Sequence, residues 1–157
     1  MSQTIIRTAQ TVRSLLLQQV EAIPEELFDS QPEGFSNTIR WNTGHTLVTL
    51  DFFLAMAIPF NSELPEHYAG LFASGTKPSD WKVSPPTKEE LVQYMSAQLN
   101  RIAEVDPHLL DARLPEPMVF GPLRFETAGE LFNFTFVHET MHLATIGCLL
   151  KCIQPKR

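Results

Sequence analysis

Cysteine is scarce in this chain of 157 residues, which contains only Cys148 and Cys152. Two cysteines are too few for a fold that depends on disulfide bonds. They lie four residues apart in a predicted helix, a spacing that is poorly suited to a bond between them. We therefore expect both to be reduced and to pack in the core as small apolar side chains.

Long apolar runs are also missing from the sequence. No stretch approaches the ~20 consecutive apolar residues that a membrane-spanning helix needs. The N-terminal segment is interrupted by Arg7, Gln10, Arg13 and Glu21, whereas a secretory signal has a continuous apolar stretch. These absences predict a cytoplasmic protein that has no membrane partner.

Basic residues are fewer than acidic ones, with 12 Lys and Arg against 18 Asp and Glu and a formal net charge of -6. Because duplex-binding proteins neutralise phosphates with Lys and Arg, this balance argues against nucleic acid as a partner. Hydrophobic residues make up 43% of the chain and charged residues 19%, a composition typical of a folded globular protein. At ~100–200 residues per domain, the length predicts a single domain over residues 1–157.

Apolar residues recur at helical spacing in four segments, which predicts an all-α protein. The predicted helices run from Thr4 to Ala22, from Thr38 to Ala57, from Thr87 to Pro107 and from Thr127 to Lys151. The third and fourth begin with a capping-box pattern, a Thr followed three residues later by a Glu. Arg13 falls on the apolar stripe of the first helix, and we expect its charged end to reach solvent at the edge of that stripe.

Two connectors between the predicted helices carry structural signals. The segment from Pro59 to Pro86 is long for a loop and rich in aromatic side chains, which favours an ordered crossover packed along the helices. Between the third and fourth helices, the apolar triplets 118–120 and 123–125 flank Gly121 and Pro122. This pattern predicts a small hairpin beside the helices.

Three histidines interrupt apolar helical faces. His138 and His142 are four residues apart, so their side chains project from one face of a helix and can bind one metal ion together. His45, on the buried face of another helix, is the candidate third ligand. Three neutral imidazoles suit zinc, nickel, iron or copper and leave a coordination position open. His67 and His108 lie in connectors and are expected at the surface.

The segment from His138 to His142 also matches H-E-x-x-H, the zinc-peptidase motif in which the Glu is the general base. By that match Glu139 is a candidate catalytic residue. However, the position of the third metzincin ligand is occupied by Cys148, and no His, Asp or Glu follows His142. A peptidase is therefore not favoured, and Glu139 is expected either beside the metal site or on the solvated flank of the helix.

An aromatic residue, Trp41, stands one turn before His45 in the predicted second helix. It is a candidate to line the mouth of the site and to bind a cofactor. The alternative is ordinary core packing, which is common for an aromatic side chain at this spacing.

The order W-N-T-G-H at residues 41–45 and H-E-T-M-H at residues 138–142, on four predicted helices with a long second connector, resembles the DinB-like (DinB/YfiT) superfamily of bacterial metal-binding proteins. The resemblance implies a four-helix bundle of up-down-down-up order, in which the long crossover makes the third helix parallel to the second. It also implies a divalent metal, most often zinc or nickel, bound by His45, His138 and His142. Characterised members of the superfamily include S-transferases that use low-molecular-weight thiols such as bacillithiol, and many members are homodimers.

The leading hypothesis is a metal-dependent S-transferase that activates a low-molecular-weight thiol toward a small-molecule substrate and works as a homodimer. One alternative is a hydrolase that uses a metal-bound water with Glu139 as base. Another is a metal-binding stress-response protein without catalytic activity. The sequence has no basic cluster that would indicate an anionic thiol.

Overall fold

The structure, a computed structural model, describes residues 2–154 and is mostly helical. Its helices are α1 (Ser2–Ala22), α2 (Ile39–Ala57), α3 (Tyr68–Phe72), α4 (Lys88–Ala103) and α5 (Ala128–Ile153). Two antiparallel strands, β1 (Arg113–Phe120) and β2 (Leu123–Thr127), form a hairpin between α4 and α5. The predicted hairpin is thus confirmed, and the all-α prediction is wrong to the extent of this two-stranded sheet.

Threonine caps fix where three of the helices begin. The hydroxyl of each accepts a hydrogen bond from the backbone N–H three residues later, at Thr38, Thr87 and Thr127. Such a cap satisfies one of the N–H groups that lack a partner inside the helix. The full capping box is formed by Thr127 and Glu130. At the start of α4 the carboxylate of Glu90 instead accepts the hydroxyl of Tyr68, which ties the crossover to this helix.

The apolar core lies where α2 packs on α5 and α1 packs on both α4 and α5. One set of fully buried leucines, one from each long helix, consists of Leu16, Leu47, Leu91 and Leu149. Burying a leucine contributes about 1.5–3 kcal/mol, so these contacts hold the helices together. The up-down-down-up order of a four-helix bundle stays a prediction.

The crossover between α2 and α4 is ordered, as predicted. It contains α3, whose Tyr68, Leu71 and Phe72 are buried against the long helices. Gly44 permits this close packing, because a Cβ atom at that position would lie 2.5 Å from the ring of Phe72. The crossover thereby brings the backbone of Phe72 next to α2, which matters for the site described below.

The exposure predicted for three side chains is wrong. Arg13 is fully buried and does not reach solvent. Cys148 and Cys152 are free, as expected, but both are exposed. They share a face of α5 that points away from the core, while the neighbouring Leu149 is buried.

Within the described residues, no helix combines the length and the apolar character that crossing a membrane requires.

Candidate metal centre

The three predicted histidines meet where α2 and α5 pack together. A ring nitrogen from each of His45, His138 and His142 lies within 4.8 Å of the other two. The Nε2 atoms of His138 and His142 are 3.2 Å apart. Two nitrogens on one tetrahedral zinc ion, each at ~2.0–2.1 Å from the metal, would be about 3.3 Å apart. The spacing of this pair therefore suits shared coordination.

The ring of His45 is fixed by the crossover and by its own helix. Its Nδ1 atom is 2.6 Å from the backbone oxygen of Phe72, and a carbonyl oxygen only accepts hydrogen bonds. Nδ1 therefore carries the proton, and Nε2 keeps the lone pair that a metal would need. At present that lone pair accepts a hydrogen bond from the Thr49 hydroxyl at 3.2 Å.

The ring of His142 is held in the same way by an amide on α2. Its Nδ1 atom is 2.8 Å from the Oδ1 atom of Asn42. The Asn42 amide is itself oriented, because its Nδ2 donates to the backbone oxygen of Thr38 at 2.8 Å. His142 therefore donates through Nδ1 and presents an unprotonated Nε2. Partners of this kind fix the tautomer and orientation of metal-binding histidines.

Burial keeps all three imidazoles neutral near pH 7. Desolvation, helped by the neighbouring histidines, lowers the pKa of His142 to about 3 and that of His138 to about 4. Desolvation also lowers the pKa of His45, against the opposing effect of its hydrogen bond to Phe72. Because metal ligands must be deprotonated, these rings can bind a cation without first losing a proton. The donor set fits the divalent ions that prefer imidazole, including zinc and nickel.

A cavity of about 510 Å³ opens onto the cluster. His45 and His138 form part of its wall. The other lining residues are mostly apolar: Val48, Thr49, Phe52, Phe53, Ala69, Ala73, Ser74, Phe120 and Phe134. The arrangement gives a small molecule access to the side chains of His45 and His138.

Glu139 lies outside this cluster, on the side of α5 that faces α1. Its carboxylate is 3.2 Å from Nη2 of Arg13, and its side chain is only 2% exposed. Of the two positions predicted for Glu139, beside the metal site or on the solvated flank of the helix, the solvated flank is therefore wrong. A role for Glu139 as a catalytic base stays a prediction, and its contact is with Arg13 and not with the histidines.

Trp41 is buried and stacks on the ring of His45, with ring centroids 4.5 Å apart and planes inclined by 11°. Its Nε1 donates to the hydroxyl of Thr76 at 2.8 Å. Trp41 is not among the residues that line the cavity, so its predicted place at the mouth of the site is wrong. Its role in binding a cofactor stays a prediction. His67 and His108 are exposed, as expected, and take no part in the cluster.

Sequence reasoning missed the groups that orient the histidines. For Asn42 a signal was available, since it is a polar residue inside the same W-N-T-G-H segment as His45. For the backbone oxygen of Phe72 there was none, because any residue supplies a carbonyl. Its position depends on how the crossover packs.

The family model described as the DinB superfamily matches residues 8–146. This chain belongs to the DinB superfamily. The membership predicted from the two histidine segments is thus confirmed, and together with the histidine cluster it fits metal binding.

One solved structure resembles this DinB protein over nearly its full length. It is the crystal structure of a conserved protein from Enterococcus faecalis, with a TM-score of 0.67 and 14% sequence identity. The similarity covers 99% of this chain and 98% of that chain. At this identity it shows a shared fold alone. No curated protein matches the chain.

Proposed function

We propose that this DinB protein binds one divalent metal ion, zinc or nickel, through His45, His138 and His142 and acts as an S-transferase. In this proposal it joins a low-molecular-weight thiol, such as bacillithiol, to a small electrophile. The supporting observation is that two of the three histidines form a wall of the cavity. Structural zinc sites are usually closed by four protein ligands, whereas catalytic sites keep a position open.

A bound divalent cation would favour the thiolate form of a coordinated thiol, because the cation stabilises the negative charge. In the transfer, the sulfur forms a bond to an electrophilic carbon. The bond from that carbon to the leaving group breaks, and the leaving group departs with the electron pair. The thiol proton passes to solvent.

The protein's own residues contribute mainly orientation. A free thiol with a pKa of ~8.5 is already a few per cent thiolate at neutral pH, so ionisation alone gains at most tens-fold. Holding the two reactants side by side can contribute far more. Phe72 and Asn42 hold the ligand rings, and the cavity wall would hold the electrophile beside them. A homodimeric assembly and a cytoplasmic location stay predictions from the sequence.

The test compares the metal content of the wild type with that of His142→Ala, by mass spectrometry on protein purified without an affinity tag or chelator. We expect one divalent ion per chain in the wild type and none in the variant. Thiol transfer to a chromogenic aryl halide should be lost in the same variant. His108→Ala is the matched control, because this exposed histidine lies outside the cluster.

Transfer activity that persists in a metal-free His142→Ala protein would contradict the mechanism. A wild type that holds the metal but transfers no thiol would leave the metal site standing and remove the transferase. A folded wild type that takes up neither zinc nor nickel would reduce the three side chains to core histidines.

A further inference from the structure

The wall of the cavity beside the histidines has no formal charge of its own. Within residues 2–154, none of its lining residues is a Lys, Arg, Asp or Glu. An anionic group that entered would leave water without finding a cationic side chain, and such a transfer costs several kcal/mol per ion.

Four phenylalanine rings line the cavity, and they come from three elements. Phe53 of α2 lies at their centre. Its ring meets Phe120 of the hairpin edge-on at 5.3 Å and Phe134 of α5 at 5.7 Å. Rings in this arrangement favour further aromatic contacts of the same edge-to-face or offset kind.

The rim of the cavity is apolar as well. Phe52 is 53% exposed and Phe120 is 37% exposed, and both line the opening. Large apolar side chains grouped at a surface opening are typical of a ligand-binding groove. A volume of about 510 Å³ lies within the range of small-molecule pockets.

We propose that this cavity binds an uncharged aromatic molecule, which supplies the electrophilic carbon in the transfer described above. The inference rests on the proposed function for the role of that molecule, but the binding itself does not. A divalent ion on the three histidines would carry two positive charges, and a thiolate sulfur bound to it would balance one of them. A negative charge on the body of the substrate, away from the ion, would still have no cationic side chain beside it in the wall.

The experiment uses two fluorescent probes with the same ring system, N-phenyl-1-naphthylamine, which is neutral, and its 8-sulfonate, which is an anion. Each is titrated into metal-free full-length protein, so that the metal cannot attract the sulfonate. We expect the neutral probe to bind at least tenfold more tightly. Equal affinity, or tighter binding of the sulfonate, would overturn the inference.

Variants at two neighbouring residues of β1 test whether the probe binds in the cavity. Phe120→Ala should weaken binding of the neutral probe about tenfold, which corresponds to about 1.4 kcal/mol. Val119→Ala is the matched control, because Val119 is 58% exposed on the same strand and does not line the cavity. It should leave the affinity unchanged within about twofold. An equal loss in both variants, or no loss in either, would show that the probe binds elsewhere.

The same probes separate this inference from the proposed function. If the neutral probe binds as expected but no thiol is transferred, the cavity assignment stands and the transferase fails. If thiol is transferred to a sulfonated aryl halide as fast as to its neutral counterpart, the transferase stands and the cavity assignment fails.

Discussion

Adjacent residues of α5 serve two different parts of the molecule. His138 faces α2 and the cavity, in a cluster whose rings are held by neutral hydrogen bonds. Glu139 faces α1 and meets Arg13 in a closed interior. The imidazole of His138 is accessible to a ligand in the cavity, whereas the carboxylate of Glu139 is closed off from solvent. A motif such as H-E-x-x-H therefore does not by itself put its members into one site, because one residue along a helix turns the side chain by about 100°.

The buried ion pair of Arg13 and Glu139, called the sealed pair below, receives few hydrogen bonds from the surrounding protein. Apart from the ion-pair contact, no guanidinium nitrogen of Arg13 has a hydrogen-bond partner among the described residues. By contrast, Arg40, which is also buried, donates to both carboxylate oxygens of Asp29 at 2.7 and 2.8 Å. Burial lowers the pKa of Arg13 and raises that of Glu139, while each charge favours the ionised form of the other. The carboxylate of Glu139 thus depends on Arg13, while the charge of Asp51 also favours the ionised form of Arg13.

The largest expected effect comes from breaking the sealed pair. Arg13→Met leaves the carboxylate of Glu139 buried without a counter-charge, which typically destabilises a protein by about 3–5 kcal/mol. We expect this loss in urea unfolding measured at neutral pH. The zinc content of the protein that remains folded should not change, because the histidines have other partners.

A double variant provides the control for that measurement. Arg13→Met combined with Glu139→Leu removes both charges, and replacing a buried ion pair with apolar residues is often neutral or stabilising. The double variant should therefore regain most of the lost stability. If the single and double variants are equally unstable, the loss reflects packing and not the unpaired charge.

An intermediate effect is expected on the metal affinity of the histidine cluster. Asn42→Leu keeps the branched shape of the side chain but removes the oxygen that accepts from His142. Loss of such a partner typically weakens metal affinity by about 10–100-fold. Competition with a chelator of known zinc affinity would measure this change.

The matched control for Asn42 is Gln98, a second buried amide. It donates to the backbone oxygen of Leu47 and to Asp51, and among the described residues it forms no hydrogen bond with a histidine. Gln98→Leu should lower stability without changing zinc affinity. If the two variants bind zinc equally well, Asn42 does not orient His142.

The smallest expected effect is a gain in affinity. The hydroxyl of Thr49 donates to Nε2 of His45, the atom that must turn its lone pair to the metal. Thr49→Val removes that competing hydrogen bond, whose net strength is typically about 1 kcal/mol, and zinc affinity should rise about fivefold. Thr46→Val, which removes a hydroxyl bonded to Thr43 instead, should have no effect on affinity. A drop in zinc affinity in Thr49→Val would mean that the hydroxyl supports the site.

Features that depend on local spacing could be predicted from the sequence. The threonine caps define where helices begin, and the four-residue spacing of His138 and His142 puts both on one face of α5. The rotation of a helix about its axis is harder to predict when apolar residues surround it. The last turns of α5 carry Leu143, Ile146, Leu149, Leu150 and Ile153, so periodicity could not show that the two cysteines face solvent.

Contacts between residues that are far apart in the sequence could not be predicted. Arg13 and Glu139 each lie within an apolar stripe, and only the packing of α1 on α5 brings them together. The contact of His45 with the backbone of Phe72 spans 27 residues. It depends on a loop whose path has no periodic signal.

The contact between His45 and Phe72 couples the stability of the crossover to metal binding. The ring of Phe72 fills the space left by Gly44, and its backbone oxygen fixes the tautomer of His45. Local opening of the crossover releases this histidine, so a metal ion that binds the closed form adds to the free energy of opening. Metal affinity and the local stability of residues 68–72 are consequently linked, so that a change in one changes the other, although none of those residues is a ligand.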